Sequence, residues 1–255
     1  MIAPDSIAHT RDPPCDEALH RMLARASRAL AFVLDASELQ ELPDGAARVR
    51  ASASRCRDLP PEFAIDTAFP ACAFQVAPGR ALTAGHVVCF RDPRALRLLF
   101  AHAIAPAEEA DGPWFRFAPE QIAAIDRVEY LDIRPGHADI ALLRLRRGPR
   151  GLHAGQVPLA DDAAHRVSAQ VGMVAHPYGR PCETLYRDVD GNPARIIATD
   201  AQTLAARLTA WRGCSGAPWC TASGVVGLQV RAEQGIAYAQ RGLTEISPQP
   251  FTHTT

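Results

Sequence analysis

Three short segments of this 255-residue chain set chemically capable side chains in distinctive surroundings. Arg80-Ala81-Leu82-Thr83-Ala84-Gly85-His86-Val87-Val88 is an apolar run ending in small residues and one histidine. An imidazole can accept a proton near neutral pH and return it, although a lone histidine there is more often structural. His137-Ala138-Asp139-Ile140-Ala141-Leu142-Leu143 puts a carboxylate at the mouth of a strand that is apolar on both faces. That charge is costly unless an indole, an imidazole or a backbone N–H from elsewhere satisfies it; the ordinary alternative is a surface strand start. Arg212-Gly213-Cys214-Ser215-Gly216-Ala217-Pro218 crowds glycines around a serine. Glycine permits positive φ, so this turn can aim the N–H groups of Gly213 and Ser215 at one point beside the Ser215 hydroxyl, as an oxyanion hole requires. An ordinary glycine turn is the alternative.

Weighed jointly, in the order His86, Asp139, Ser215, these contexts resemble the chymotrypsin-like (trypsin-like) serine peptidase family. There T-A-x-H, D-I-A-L-L and G-x-S-G-x-P surround the catalytic triad. The resemblance spans about residues 65–247 and includes Gly227-Leu228 and Gly235-Ile236-Ala237-Tyr238-Ala239. The spelling Thr83-Ala84-Gly85-His86-Val87-Val88 is similar to the bacterial branch without zymogen disulfides, which includes glutamyl endopeptidases and Deg-type proteases.

The resemblance implies a mostly β fold of two packed six-stranded antiparallel barrels with an N-terminal helical extension. His86 and Asp139 would come from the first barrel and Ser215 from the second, with the cleft between them. It implies a serine endopeptidase acting through an acyl-enzyme. Ser215 attacks, His86 is the general base, Asp139 orients the imidazole, and Gly213 and Ser215 N–H bind the oxyanion. A catalytically silent peptide-binding module is the rival of a different class, opposed by the complete triad. An esterase on an α/β-hydrolase sheet is opposed by the residue order.

Departures from the family pattern carry information. The position before the nucleophile, an aspartate in the animal digestive branch that pairs with a freshly cut N-terminus, is Cys214, so that activation switch is absent. Cys214 is also one place out of register with the nucleophile of G-x-S-G, which favours Ser215. Cys72 and Cys89 stand near where relatives close a disulfide around the histidine loop; they are expected to stay thiols. Substrate is expected to add as a strand beside Val230-Arg231-Ala232. Thr209 stands where enzymes cutting after Arg or Lys carry a carboxylate, and Gln229 where glutamyl endopeptidases carry a histidine. Neutral Thr209 and Gln229, with Arg231 at the rim, imply polar, acidic or small residues before the cut; Glu233 is the nearby acid that opposes this.

The elements that must position these residues are legible in outline. Asp16 can cap a helix whose apolar positions, Leu19, Met22, Leu23, Ala26, Leu30, Val33 and Leu34, recur at three and four residues. The helix either packs on the main domain or serves as an inhibitory or regulatory partner-binding appendage; the sequence leaves both open. Turn residues at Leu42-Pro43-Asp44-Gly45 and Pro60-Pro61 mark breaks. They predict an extension over 1–60, a protease domain over 61–250 with barrels at about 61–150 and 160–247, and a domain that stays folded without residues 1–55. From Phe63 onward, short apolar runs predict strands over 71–76, 80–90, 139–145, 167–175, 194–199 and 225–230. Gly148 to Gly155 looks like a connector and Asp190-Gly191-Asn192-Pro193 like a hairpin turn.

Composition narrows the classes. All 27 basic residues are arginine, which excludes a Schiff-base lysine, a phosphate-loop lysine and a Ser-Lys dyad. A net charge of -1 gives no call for nucleic acid or an anionic membrane, so Arg144, Arg146 and Arg147 read as a solvated face. No apolar stretch is long enough for a membrane span, and the start lacks the pattern of a signal peptide. Seven scattered cysteines, without metal-ligand spacing, suggest neither a disulfide framework nor a metal site and fit reduced thiols in a bacterial cytoplasm. No metal or organic cofactor is expected, and the expected partner is a protein or peptide substrate.

Overall fold

The computed structural model describes residues 16–53, 63–100, 106–134, 138–146, 152, 154–161 and 164–246. The chain runs α1 (Glu17–Ala29), β1 (Leu30–Asp35), β2 (Gln40–Glu41), β3 (Ala47–Ala53), β4 (Phe63–Ile65), β5 (Ala71–Ala77), β6 (Arg80–Thr83) and α2 (Gly85–Val88). It continues through β7 (Leu96–Leu99), β8 (Ala107–Glu109), β9 (Gly112–Phe117), β10 (Ile122–Arg134) and β11 (Ala138–Arg146). The second half comprises β12 (Gly172–Ala175), β13 (Glu183–Leu185), β14 (Ile196–Thr199), β15 (Thr203–Ala206), β16 (Pro218–Thr221), β17 (Gly224–Glu233), β18 (Ile236–Gln240) and α3 (Leu243–Ile246).

Asp16 does cap α1, accepting the Ala18 N–H at 2.9 Å, and Leu19, Met22, Leu23 and Ala26 are buried. The helix nevertheless stops at Ala29, short of the expected Leu34. Leu30-Ala31-Phe32-Val33-Leu34 is a continuous apolar run in which every residue is buried, and it forms β1. Ala31 and Val33 pack in the main core while Phe32 and Leu34 face a second cluster. A strand buries alternate residues on two faces, whereas a helix would have turned part of this run to solvent.

β1 corrects the expected boundary between residues 60 and 61. It pairs with β5, Leu30 opposite Phe74, and with β7, Asp35 opposite Leu96, in a closed barrel of order β1-β5-β6-β11-β10-β7. The N-terminal stretch is therefore part of the barrel, and removal of residues 1–55 would open it. α1, by contrast, packs on β12 and β16 of the second sheet as well as on β5. Arg25 Nε donates to the Gln156 carbonyl at 3.0 Å, and the Arg28 carbonyl accepts from Gly155 N–H at 2.8 Å. Residues 17–35 thus join both halves through one continuous apolar core.

The second half is a seven-stranded sheet of order β13-β12-β16-β17-β18-β15-β14. Isolated bridges between Gln170 and Arg195 and between Arg187 and Pro193 draw its two ends together. The expected turn at Asp190–Pro193 is present: the Asp188 carboxylate accepts N–H bonds from Asp190 at 3.0 Å and Asn192 at 2.8 Å. The expected strand over 80–90 stops at Thr83 and gives way to α2, and the strands expected over 167–175 and 194–199 begin only at Gly172 and Ile196. Most of the expected connector 148–155, and the break at Pro60-Pro61, lie outside the described residues.

A third sheet, β2-β3-β9-β8 with β4 on the edge of β3, was not foreseen from the sequence. Its apolar face, with Val49, Ala51, Ile65, Phe115 and Phe117, covers Phe32, Leu34 and Leu99 on the outside of the closed barrel. No helix among the described residues is long and apolar enough to cross a membrane.

Candidate active site

β6 ends at Thr83 and the chain turns into the single-turn helix α2, which carries His86. β11 pairs with β6, Ala141 opposite Thr83, and so brings Asp139, near its start, beside that helix. The Asp139 carboxylate contacts His86 twice: Oδ1 accepts the His86 backbone N–H at 2.8 Å and Oδ2 lies 2.6 Å from Nδ1. The partner that this charge required is thus the imidazole and backbone N–H of His86. Held through Nδ1 in this way, the ring leaves Nε2 without a bond to the carboxylate. The His86 side chain is 40% exposed and that of Asp139 25%, so the pair lines an accessible surface.

Gln240 supports this pair from the other half of the molecule. Its Oε1 accepts the Asp139 N–H at 3.2 Å, and its Nε2 donates to the carbonyls of Gln202 and Arg241, each at 3.1 Å. A buried amide with both ends engaged fixes the start of β11 against the end of β18. Sequence reading missed Gln240, because nothing in its local context marks it.

Ser215 lies in the turn before β16. Its carbonyl accepts the Cys72 N–H at 2.7 Å, and the Cys72 thiol donates to the Gly213 carbonyl at 3.1 Å. Gly216, at φ +83°, fits so closely that a Cβ there would meet the Cys72 carbonyl oxygen at 2.1 Å, Thr83 Oγ1 at 2.5 Å and Ala84 N at 3.1 Å. The serine turn is therefore docked on β5 and on the end of β6, the segment that leads directly into His86. Among the described residues, no group accepts the N–H of Gly213 or Ser215.

Two neighbours hold this turn. The Arg212 carbonyl accepts the Tyr178 N–H at 2.6 Å, which orients the peptide carrying the Gly213 N–H. Tyr178 makes this bond from a left-handed backbone conformation, φ 53°. Gly213 has φ +98°, and a Cβ there would meet the His176 carbonyl oxygen at 2.4 Å. Cys214 is buried, and burial pushes its thiol up to about 12. It stays a protonated, inaccessible thiol at neutral pH, while Ser215 is only partly buried.

His176 is also buried, with Nδ1 3.0 Å from the Arg180 carbonyl and its ring edge-on to Phe32 at 5.5 Å. Burial lowers its pKa to about 4. An unfolded chain takes up this proton near ~6.5, so between those values the unfolded state binds more protons and stability falls as the pH drops. The loss attributable to His176 should approach about 3 kcal/mol at the acid end. Urea unfolding at pH 4.5 and 7.5 checks this: His176→Gln should show a markedly smaller decline than wild type, and equal declines would contradict it.

Of the expected substrate-contacting residues, Gln229 is tied to the Ser215 turn and Val230, Arg231 and Ala232 follow it along β17. Gly216 N–H donates to the Gln229 carbonyl and Gln229 N–H to the Ala217 carbonyl, both at 2.8 Å. β16 pairs with β17 only as far as Leu228, so among the described residues no strand lies beside the Val230–Glu233 edge on that side. Val230 is the extra residue of a bulge between the Gln229 and Arg231 pairs with β18. Gln229 is buried; its Oε1 accepts the Trp219 indole N–H at 2.9 Å and its Nε2 donates to the Arg231 carbonyl at 2.6 Å. Its amide is engaged by the protein at both ends. Arg231 lies 4.2 Å over the ring of Tyr238, Ala232 is exposed, and Thr209 is half-buried in the coil after β15.

A family model described as the trypsin-like peptidase domain matches residues 71–228, more than half of the chain. Solved structures share the fold at low identity. The inactive form of Rv3671c protease is 14% identical, with 91% of this chain and 92% of that chain covered and a TM-score of 0.52. The active form of Rv3671c protease from M. tuberculosis is 15% identical, with coverage of 95% and 89% and a TM-score of 0.52. The serine endoprotease from Yersinia pestis is 14% identical, with 92% and 65% covered and a TM-score of 0.56. Among curated protein sequences none matches this chain.

Proposed function

The chain belongs to the trypsin-like peptidase family, and from that premise we propose that it is a serine endopeptidase using His86, Asp139 and Ser215. One observation carries the reading: Asp139 grips His86 through both Nδ1 and the backbone N–H, and the Ser215 turn is docked on the strand that delivers His86. His86 Nε2 takes the Ser215 hydroxyl proton as Oγ attacks the peptide carbonyl. Asp139 stabilises the imidazolium formed. The N–H groups of Gly213 and Ser215 receive the negative charge developing on the carbonyl oxygen. The imidazolium then gives its proton to the departing amine, leaving an acyl-enzyme that water hydrolyses with His86 again as base.

The open edge of β17 from Val230 to Ala232 supports binding of the substrate's acyl portion as an added strand. Arg231 belongs to that edge and Gln229 buttresses it from behind, and with the neutral Thr209 assigned to the pocket in this reading, polar, acidic or small residues are expected before the cut.

Gly213→Ala places a side chain where the His176 carbonyl stands and should displace the oxyanion donor, lowering kcat by about 10²–10³. A kcat within threefold of wild type would remove Gly213 from this role. The reading as a whole is tested by the pH dependence of kcat/KM on a peptide substrate. The rate should fall on acidification, because a protonated imidazole cannot accept the serine proton, and a flat profile from pH 5 to 8 would overturn His86 as base.

A further inference from the structure

On the outer face of the closed barrel, where β2, β3 and the turn between them meet β7, β10 and β11, lies a pocket of about 300 Å³ lined by two arginines, Arg97 and Arg146. We infer that it binds an aliphatic monocarboxylate of medium chain length, the carboxylate held between the two guanidinium groups and the tail against the apolar wall. The inference does not rest on the proposed peptidase activity. Arg146 stands seven residues along β11 from Asp139, roughly 20 Å away at ~3.3 Å per residue, so the pocket is remote from the serine site.

Strand register places the arginines. Arg97 of β7 is opposite Ala124 of β10, and Ala124 is opposite Arg146 of β11. Residues opposed across neighbouring strands share a face of the sheet. That face is the outer one: Leu34, opposite Arg97 in β1, belongs to the second apolar cluster, whereas Ala123 and Ile125 on either side of Ala124 are buried in the main core. Two strand spacings, about 10 Å, separate the arginine backbones, and the short Ala124 side chain leaves the space between them open.

Neither guanidinium is fully engaged. Arg97 Nη1 donates to the carbonyls of Arg94 at 2.9 Å and Leu96 at 3.0 Å, and its other N–H groups have no acceptor among the described residues. Asp35 acts on Arg97 only from beyond ion-pair contact, its carboxylate being bonded to Ser37. Arg146 Nη2 is 3.8 Å from the Asp126 carboxylate, longer than a hydrogen bond, and Arg127 holds that carboxylate at 3.1 Å. Glu41 also lines the pocket yet pairs with neither arginine.

These groups define the ligand. A carboxylate accepts N–H bonds from two sides, and a pair of under-used guanidinium groups on one face is complementary to it. Leu39, Leu42, Ala46, Pro119 and Ile122 line the pocket and suit an aliphatic tail. The volume lies at the lower limit for ligand pockets and suits a chain of about eight carbons. Glu41 repels a second anionic group, which restricts the ligand to one carboxylate.

The experiment is calorimetric titration of the full chain with octanoate. One site with a Kd of about 0.1–1 mM is expected, the range open to a ligand of about ten non-hydrogen atoms. Octan-1-ol, with the same tail and no charge, should bind about tenfold more weakly, and Arg97→Gln combined with Arg146→Gln should weaken octanoate by at least about tenfold. Ala124→Glu sets an internal carboxylate between the arginines at a partly exposed position and should abolish octanoate binding without lowering the midpoint of urea unfolding. No binding of octanoate at millimolar concentration, equal affinity for octan-1-ol, or wild-type affinity in the double arginine variant would each overturn the site. Tighter binding of octanedioate, or binding of a peptide ending in a leucine carboxylate in place of octanoate, would overturn the ligand class.

Discussion

Ser215→Ala is expected to lower kcat for peptide hydrolysis by about 10⁶-fold, the cost of removing the nucleophile from a comparable triad. No neighbouring group can take its place. The adjacent thiol, Cys214, is 1% exposed and, with burial pushing it up to about 12, carries no thiolate at neutral pH. Cys72 is buried too, its thiol is engaged with the Gly213 carbonyl, and burial raises it well above the ordinary thiol range. The substitution should leave the fold intact, because Ser215 is held through its carbonyl, which accepts from Cys72, and Gly216 supplies the close docking. Unchanged thermal unfolding beside a vanished rate is the expected pair of measurements; a variant retaining more than 1% of wild-type kcat would show that another group attacks.

Removal of residues 1–35 is expected to abolish cooperative folding, not to trim an appendage. The deletion takes β1 out of a closed barrel and exposes the paired edges of both β5 and β7. It also strips Leu19, Leu23, Leu30, Phe32, Val33 and Leu34 from the core, all nearly inaccessible to solvent. At ~1.5–3 kcal/mol for each large buried side chain, the loss of these six is comparable to the whole ~5–15 kcal/mol by which domains of ordinary size are stable. The measurement is near-UV circular dichroism and denaturant unfolding of the truncated protein. A soluble product with a native-like sigmoidal transition would contradict the role given to β1.

Why the sequence misplaced this boundary is a matter of periodicity. Leu30, Val33 and Leu34 extend the helical spacing of α1 without a break, and no glycine or proline occurs between Asp16 and Leu34. A short continuous apolar run fits a buried strand equally well, and what decides between them is the covering of both faces by tertiary neighbours. The third sheet escaped notice for the opposite reason. In β3, Arg48 and Arg50 alternate with the buried Val49 and Ala51, a half-buried strand whose arginines look like loop composition. Arg48 and Arg50 lie over the Trp114 ring of β9 at 4.1 and 5.1 Å, a pairing that only the fold reveals.

At the site, His86, Asp139 and the Ser215 turn were legible because each needs its immediate neighbours: small residues before the histidine, an apolar strand after the carboxylate, glycines at positive φ beside the serine. Gln240, Tyr178 and the Cys72 thiol act from elsewhere in the chain, through a side-chain amide, a left-handed backbone and a sulfur donor. Such contributions depend on where the chain passes in space, and local spelling does not encode them. Gln229 illustrates the reverse case. Its position was legible, yet its amide turns out to serve Trp219 and the Arg231 carbonyl.

The most direct measurement is peptide mapping by mass spectrometry after treatment of the native protein with a fluorophosphonate, a reagent that phosphonylates an activated serine. A single adduct on Ser215, absent after heat denaturation and strongly diminished in Asp139→Asn, is the predicted result. No adduct on Ser215 in the folded protein, or one on another residue instead, would contradict the assignment of Ser215 as the activated nucleophile.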